Sequence, residues 1–222
     1  MNTMTREEAL KLVGEDGSKL LILSEEFKKD KEIVLTAVQN FGLALINADA
    51  SLKKDRNIVL KAVQQNGYAL EHADDSLKKD KEIVLAAVQQ LGLALESADD
   101  SLKKDKEIVL AAIQQNGGAL QYADDSFKKD REIVLMAVID DEEGEINEVV
   151  FEYADESLKK DKEFVLALVK KDGFALEFVD ESFAKDKEVV LAAVQQDSFA
   201  LEHADESLQN DPDILAIVNK DK

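Results

Sequence analysis

Residues 80–104, DKEIVLAAVQQLGLALESADDSLKK, are followed without a gap by DKEIVLAAIQQNGGALQYADDSFKK, residues 105–129, and the two differ at six of twenty-five positions. Repetition on this scale constrains the fold more than any single motif, because each copy must be one structural unit and neighbours must pack through the same contacts. The aspartate that opens each copy marks the phase. Asp30, Asp55, Asp80, Asp105 and Asp130 lie 25 residues apart, a gap of 31 leads to Asp161, and Asp186 and Asp211 restore the spacing of 25. Counting back from Asp30 reaches Thr5, another capping residue. The units therefore run 5–29, 30–54, 55–79, 80–104, 105–129, 130–160, 161–185 and 186–210, with a terminal helix in 211–222.

One unit serves for all. The carboxylate of Asp80 suits the free amides of a first helical turn, so a helix starts there. Ile83, Val84, Leu85, Ala87 and Val88 gather on one side of a 3.6-residue period and predict its buried face. Gly92, like Gly17, Gly42, Gly67, Gly117 and Gly173, sits where a left-handed residue would end the helix; Ser198 is the exception. Leu93, Ala94, Leu95 and Ala98 predict a shorter second helix, and Ser101 is placed to cap a single turn over 102–104.

Helices this short are marginal alone, so the apolar stripe of each unit must be covered by its neighbours. The expected architecture is an all-α, single-domain α-solenoid, of either hand, with about eight 25-residue helix-turn-helix repeats. At roughly 8–10 Å per layer it would make a rod or arc of about 65–80 Å. The only proline, Pro212, stands at the first position of the last helix, where proline is tolerated. With 45% hydrophobic and 34% charged residues the 222-residue chain has the composition of a folded soluble protein. No run reaches the roughly 18 apolar residues of a membrane helix, the opening MNTMTREEALK lacks a secretory apolar stretch, and cysteine is absent. Together these predict a cytoplasmic protein without disulfides and with no membrane association.

The repeated phrase DKEIVLAAVQQNGxALExADDSLKK resembles the tandem repeats of the domain of unknown function 4116 family, over roughly residues 30–210. The resemblance implies helical repeat architecture. It brings no activity and no site residue.

Candidate chemistry is sparse. His72 and His203 occupy the same repeat position, held elsewhere by Asn47, Ser97, Tyr122, Tyr153 and Phe178. Such a varied position reads as surface, and about five units separate the two histidines, too far to share a metal. Acid pairs such as Asp74 with Asp75, or Asp99 with Asp100, recur along the chain, whereas a catalytic dyad needs one pocket that splits its pKa values. No nucleophile and base pair stands out, so no enzyme, cofactor or metal is expected. The six-residue insertion in unit 130–160 gives DDEEGEINE at 140–148, with six acids and no base. Asp141, Glu143, Gly144 and Ile146 match interior positions of a calcium loop, but Ile139 and Val150 fall where its first and twelfth carboxylates belong. It reads as an exposed acidic loop.

Of the formal net charge of −20, residues 1–129 carry −4 and residues 130–222 carry −16. An acidic surface repels phosphates, which argues against direct nucleic-acid binding despite the Gln64, Gln65, Asn66 triplet. It favours encounter with a basic partner. Two sets of varied positions would form the reading surface: Thr36, Lys61, Ala86, Met136 and Leu43, Tyr68, Leu93, Gly118, Phe174, Phe199. The expectation is a non-enzymatic scaffold binding a basic protein through Asp140, Asp141, Glu142, Glu143, Glu145, Glu148, Phe174, Phe178 and Phe199. The alternative is an acidic nucleic-acid mimic that inhibits a DNA- or RNA-binding protein, weakened by lysines such as Lys53, Lys54, Lys78 and Lys79 among the acids.

Overall fold

The computed structural model describes residues 4–139 and 146–219. Packing divides the chain into two compact units, Met1–Asp124 and Asp125–Lys222. Each is an all-α stack of helical repeats; among the described residues the only β pairing is an isolated antiparallel bridge between Ile139 and Ile146. No helix among the described residues is long and apolar enough to cross a membrane.

The N-terminal unit contains helices α1 (Arg6–Glu15), α2 (Lys31–Asn40), α3 (Arg56–Gln65), α4 (Lys81–Gln90) and α5 (Lys106–Gln115). The C-terminal unit contains α6 (Asp125–Lys128), α7 (Arg131–Val138), α8 (Glu148–Phe151), α9 (Glu156–Lys159), α10 (Lys162–Val169), α11 (Lys187–Gln196), α12 (Glu206–Gln209) and α13 (Pro212–Val218). The long helices start where the phase marker predicts: Asp80 accepts from the amides of Glu82 and Ile83, and Thr5 and Glu8 form a capping box on α1. Within the N-terminal unit α1 to α5 pack in sequence, each burying the face predicted for it; Ile83, Val84, Ala87 and Val88 are fully buried, as is Leu95. Leu85 and Leu93 differ from expectation and are half-buried, because they lie at the margin of the covered stripe.

The second helix is the short α8 in repeat 130–160 and, in the regular repeats, a 3₁₀ helix of five or six residues, such as Gly67–His72 and Gly92–Ser97. The glycine that opens it is not left-handed, which corrects the sequence expectation. The residue before it is extended, with φ −152° at Asn66. Gly67 is required because the next repeat comes too close: a Cβ there would lie 2.6 Å from the Ala87 carbonyl oxygen and 2.8 Å from Leu91 Cβ. Its amide donates to Gln90 Oε1 of the next repeat at 2.5 Å, and Gly173 does the same to Gln196 at 2.6 Å. Gln65 accepts likewise from Gly42, so the glutamine of the Gln64, Gln65, Asn66 triplet is a stacking residue.

The serine of each copy is also not a cap. Ser76 donates its amide and hydroxyl to Asp74, 3.1 and 2.7 Å away, so the aspartate is the organising acceptor. The amide of Asp74 then donates to the Lys53 carbonyl of the preceding repeat at 3.0 Å, and Asp155 and Lys128 repeat this in the C-terminal unit. One member of each acid pair is thus structural, whereas Asp75 is solvated, its side chain 92% exposed.

A ladder of ions joins the same layers. Within the N-terminal unit the cation after a helix cap reaches the capping aspartate of the next repeat: Arg6 to Asp30, Lys31 to Asp55, Arg56 to Asp80, Lys81 to Asp105. In the C-terminal unit Arg131 reaches Asp161, Lys162 reaches Asp186 and Lys187 reaches Asp211. Arg56 beside Asp80 and Lys81 beside Asp105 hold those carboxyls below their usual range. The Ser76 hydroxyl lowers Asp74 in the same direction.

The irregular repeat is absorbed locally. Ile139 and Ile146 pair, and the Asn147 amide donates to the Val138 carbonyl at 2.7 Å, so residues 138–139 lie against 146–147. The Ile146 amide donates to Asp172 at 3.0 Å, where regular repeats use glycine and glutamine. Phe151 and Phe164 replace smaller core residues and stack at 6.4 Å, with Lys159 Nζ 5.5 Å from the Phe151 ring.

Candidate interaction surface

The polar residues common to all copies are largely used in joining repeats, which leaves the varied positions as the part of the surface that differs from layer to layer. The first varied position opens each 3₁₀ helix one residue after the glycine. Tyr68, Phe174 and Phe199 hold it with 47%, 40% and 66% of their surface exposed. Successive members are neighbours: a Cβ on Gly118 would lie 3.7 Å from Leu93 Cδ2.

The second varied position closes the 3₁₀ helix and carries Asn47, His72, Ser97 and Tyr122 in one unit, and Tyr153, Phe178 and His203 in the other. All are half-buried, which corrects the reading of the histidines as plain surface residues. Burial pushes the His72 imidazole pKa down, offset in part by Glu71. His203 lies edge-on to Phe174, with ring centroids 5.7 Å apart, and its Nδ1 is 3.8 Å from Glu177. In the C-terminal unit the two varied positions therefore meet across a repeat boundary and form a strip along its 3₁₀ helices. The third set, Thr36, Lys61, Ala86 and Met136, lies on the long helices, where Met136 is 43% exposed.

Of the residues expected to bind, Asp140, Asp141, Glu142, Glu143 and Glu145 lie outside the described residues. Glu148 is exposed at the start of α8. Phe174 and Phe199 are exposed on neighbouring 3₁₀ helices that pack together. Phe178 is half-buried beside Ile146, Phe151, Leu168 and Ala175, so packing holds much of its ring. Val150, at the twelfth position of the partial calcium-loop match, is a core residue at 4% exposure. Among the described residues no three His, Asp or Glu side chains are grouped to hold a metal.

Two residues of the strip escaped the sequence reading. Asp172 and Asp197 precede the 3₁₀ helices of Phe174 and Phe199, and each accepts the ring residue's amide, at 2.9 and 2.8 Å. In the N-terminal unit the same place is held by Asp16 and by the neutral Phe41, Asn66, Leu91 and Asn116, and Asp16 stands before a serine, Ser18, rather than a ring. Aligning the copies on their glycine would have found this, because Asp172 and Asp197 each stand two residues before a phenylalanine, as Asp16 does not.

The repeat unit is matched by the family described as Domain of unknown function (DUF4116), over residues 5–53, 30–78, 55–103, 80–125, 105–141, 145–184 and 186–217. These overlapping matches tile nearly the whole chain, and the chain belongs to that family. No curated protein and no solved structure matches it.

Proposed function

We propose that this chain, as a member of that repeat family, is a non-enzymatic protein-interaction scaffold that takes a basic protein on the strip of its 3₁₀ helices. The observation that carries the reading is the exposure of Tyr68, Phe174 and Phe199 at one repeat position whose neighbours are committed to stacking. Aromatic side chains on an otherwise polar surface supply binding energy out of proportion to their number. The charge excess of residues 130–222 supplies long-range attraction for a cationic partner. The nucleic-acid mimic is the weaker reading, because its regular acid rows are partly neutralised: Glu82 and Glu107 each hold the cation of the preceding repeat.

The test is capture of a partner from the native host by the full chain at low and moderate salt. Neutralising Asp140, Asp141, Glu142, Glu143, Glu145 and Glu148 to Asn and Gln should chiefly slow association and flatten its salt dependence, since exposed charges act within about 8–10 Å. Replacing Phe199 by Ala should chiefly speed dissociation. A partner unaffected by salt and by both sets of changes would sink the reading, and so would a captured protein displaced stoichiometrically by duplex DNA, which would favour the mimic.

A further inference from the structure

The C-terminal unit's strip differs from the N-terminal one in chemistry as well as in charge. Phe174 and Phe199 each stand two residues after a capping carboxylate, Asp172 and Asp197, and Glu177, 54% exposed, faces His203 beside the Phe174 ring. A ring face next to a carboxylate suits a planar cation, whose flat surface lies on the ring while its edge N–H groups reach the acid. We propose that this strip binds an extended, arginine-bearing protein segment, one guanidinium at Phe174 and the next at Phe199. This deepens the scaffold reading and rests on it.

The period follows from geometry. Neighbouring helical layers pack about 8–10 Å apart, and three residues of polyproline-II chain make one full turn of about 9 Å, returning to the same face. Arginines at every third position therefore meet successive rings in register. The N-terminal unit lacks the pairing of ring with capping acid: its exposed ring at this position, Tyr68, follows the neutral cap Asn66, which accepts the Tyr68 amide at 3.0 Å. The same fact provides a clean variant. Asn66 and Asn116 cap their 3₁₀ helices as Asp197 caps its own, so Asp197→Asn removes the charge and keeps the hydrogen bond.

The experiment titrates the full chain with a synthetic peptide carrying arginine at every third position between glycine and serine, beside versions with lysine or citrulline in place of arginine. The arginine peptide is expected to bind, the lysine version about fivefold more weakly, and the neutral citrulline version to lose binding. Phe199→Ala should weaken the arginine peptide about fivefold or more. Asp197→Asn should weaken it and flatten its salt dependence, with the melting transition in place. Equal binding of the arginine and lysine peptides, with Phe199→Ala and Asp197→Asn both silent, would overturn the arginine assignment. So would absence of peptide binding when the full chain still captures a protein through Phe199, and in that case the scaffold reading survives. Loss of both peptide binding and protein capture overturns the scaffold reading itself.

Discussion

Replacing Gly67 by alanine should destabilise the N-terminal unit by about 2–3 kcal/mol, the range for forcing an extra carbon into a packed site. The added Cβ would meet the Ala87 carbonyl oxygen at 2.6 Å, Leu91 Cβ at 2.8 Å and Gln90 Oε1 at 3.1 Å. Two of these belong to parts that cannot swing away, one to the backbone of α4 and one to a β-carbon, so the repeats themselves must separate. Separation also stretches the bond from the Gly67 amide to Gln90. Gly14, inside α1, is the control: its nearest neighbour would be Thr36 Cγ2 at 3.8 Å, ordinary contact. Gly14→Ala should therefore stabilise, by about 0.5–1 kcal/mol, through helix propensity alone. Urea unfolding followed by circular dichroism reads both. A left-handed glycine would tolerate asparagine, so Gly67→Asn with near-native stability would refute the close-approach account, as would equal effects of alanine at the two sites.

Leu95→Ala should cost about 2–5 kcal/mol, since the side chain is fully buried, and an unchanged unfolding midpoint would show the stripe misassigned. Asp80→Ala should cost about 1 kcal/mol by removing the cap of α4, and Asp80→Asn less, because asparagine still accepts from Glu82 and Ile83. Asp80, Asp105, Asp186 and the serine-bonded Asp74 and Asp99 all have pKa values lowered by folding. Their contribution is complete above the unfolded value of about 3.9 and is lost as pH falls through the lower folded values, so acid unfolding should set in below about pH 4. Stability that held constant from pH 5 to pH 2 would contradict this.

Within one copy, the sequence made the helix starts and the core legible, because a capping aspartate and a 3.6-residue apolar period act over a few residues. What it hid were the contacts between copies. Nothing within one copy marks Gln90 as an acceptor, and the approach of Gly67 from the preceding repeat makes it one. Lys81 stands next to Glu82 in the chain, yet its partners are Asp105 and Glu107, 24 and 26 residues on. That pairing was present in the text as equal spacing of opposite charges, but a reading confined to one unit cannot see it. The candidate strip was legible as variation; its half-buried histidines and the carboxylates beside Phe174 and Phe199 depend on how the 3₁₀ helices lie together.

The distribution of fixed and varied residues follows from those contacts. Within each unit, the regular repeats are joined to their neighbours by the glycine approach, the amide of the serine-bonded aspartate, and the ion between successive caps. Any side chain in these links must match a partner 20 to 26 residues away, so a change in one copy requires a change in the next. Positions outside them face no such condition. Residues 43, 68, 93, 118, 174 and 199 run through leucine, tyrosine, glycine and phenylalanine while the glycine before them, or Ser198, keeps its place. A surface can then be altered one layer at a time without disturbing the stack, which is what recognition of an extended partner requires. The C-terminal copies use that freedom in a coordinated way, changing ring and capping residue together. The neutral caps Asn66 and Asn116 make the same hydrogen bond that Asp197 makes, so stacking does not require the added charge. Asp172 also accepts the Ile146 amide of the preceding repeat, so Asp197 is the position where removing the charge isolates its effect on what approaches the ring.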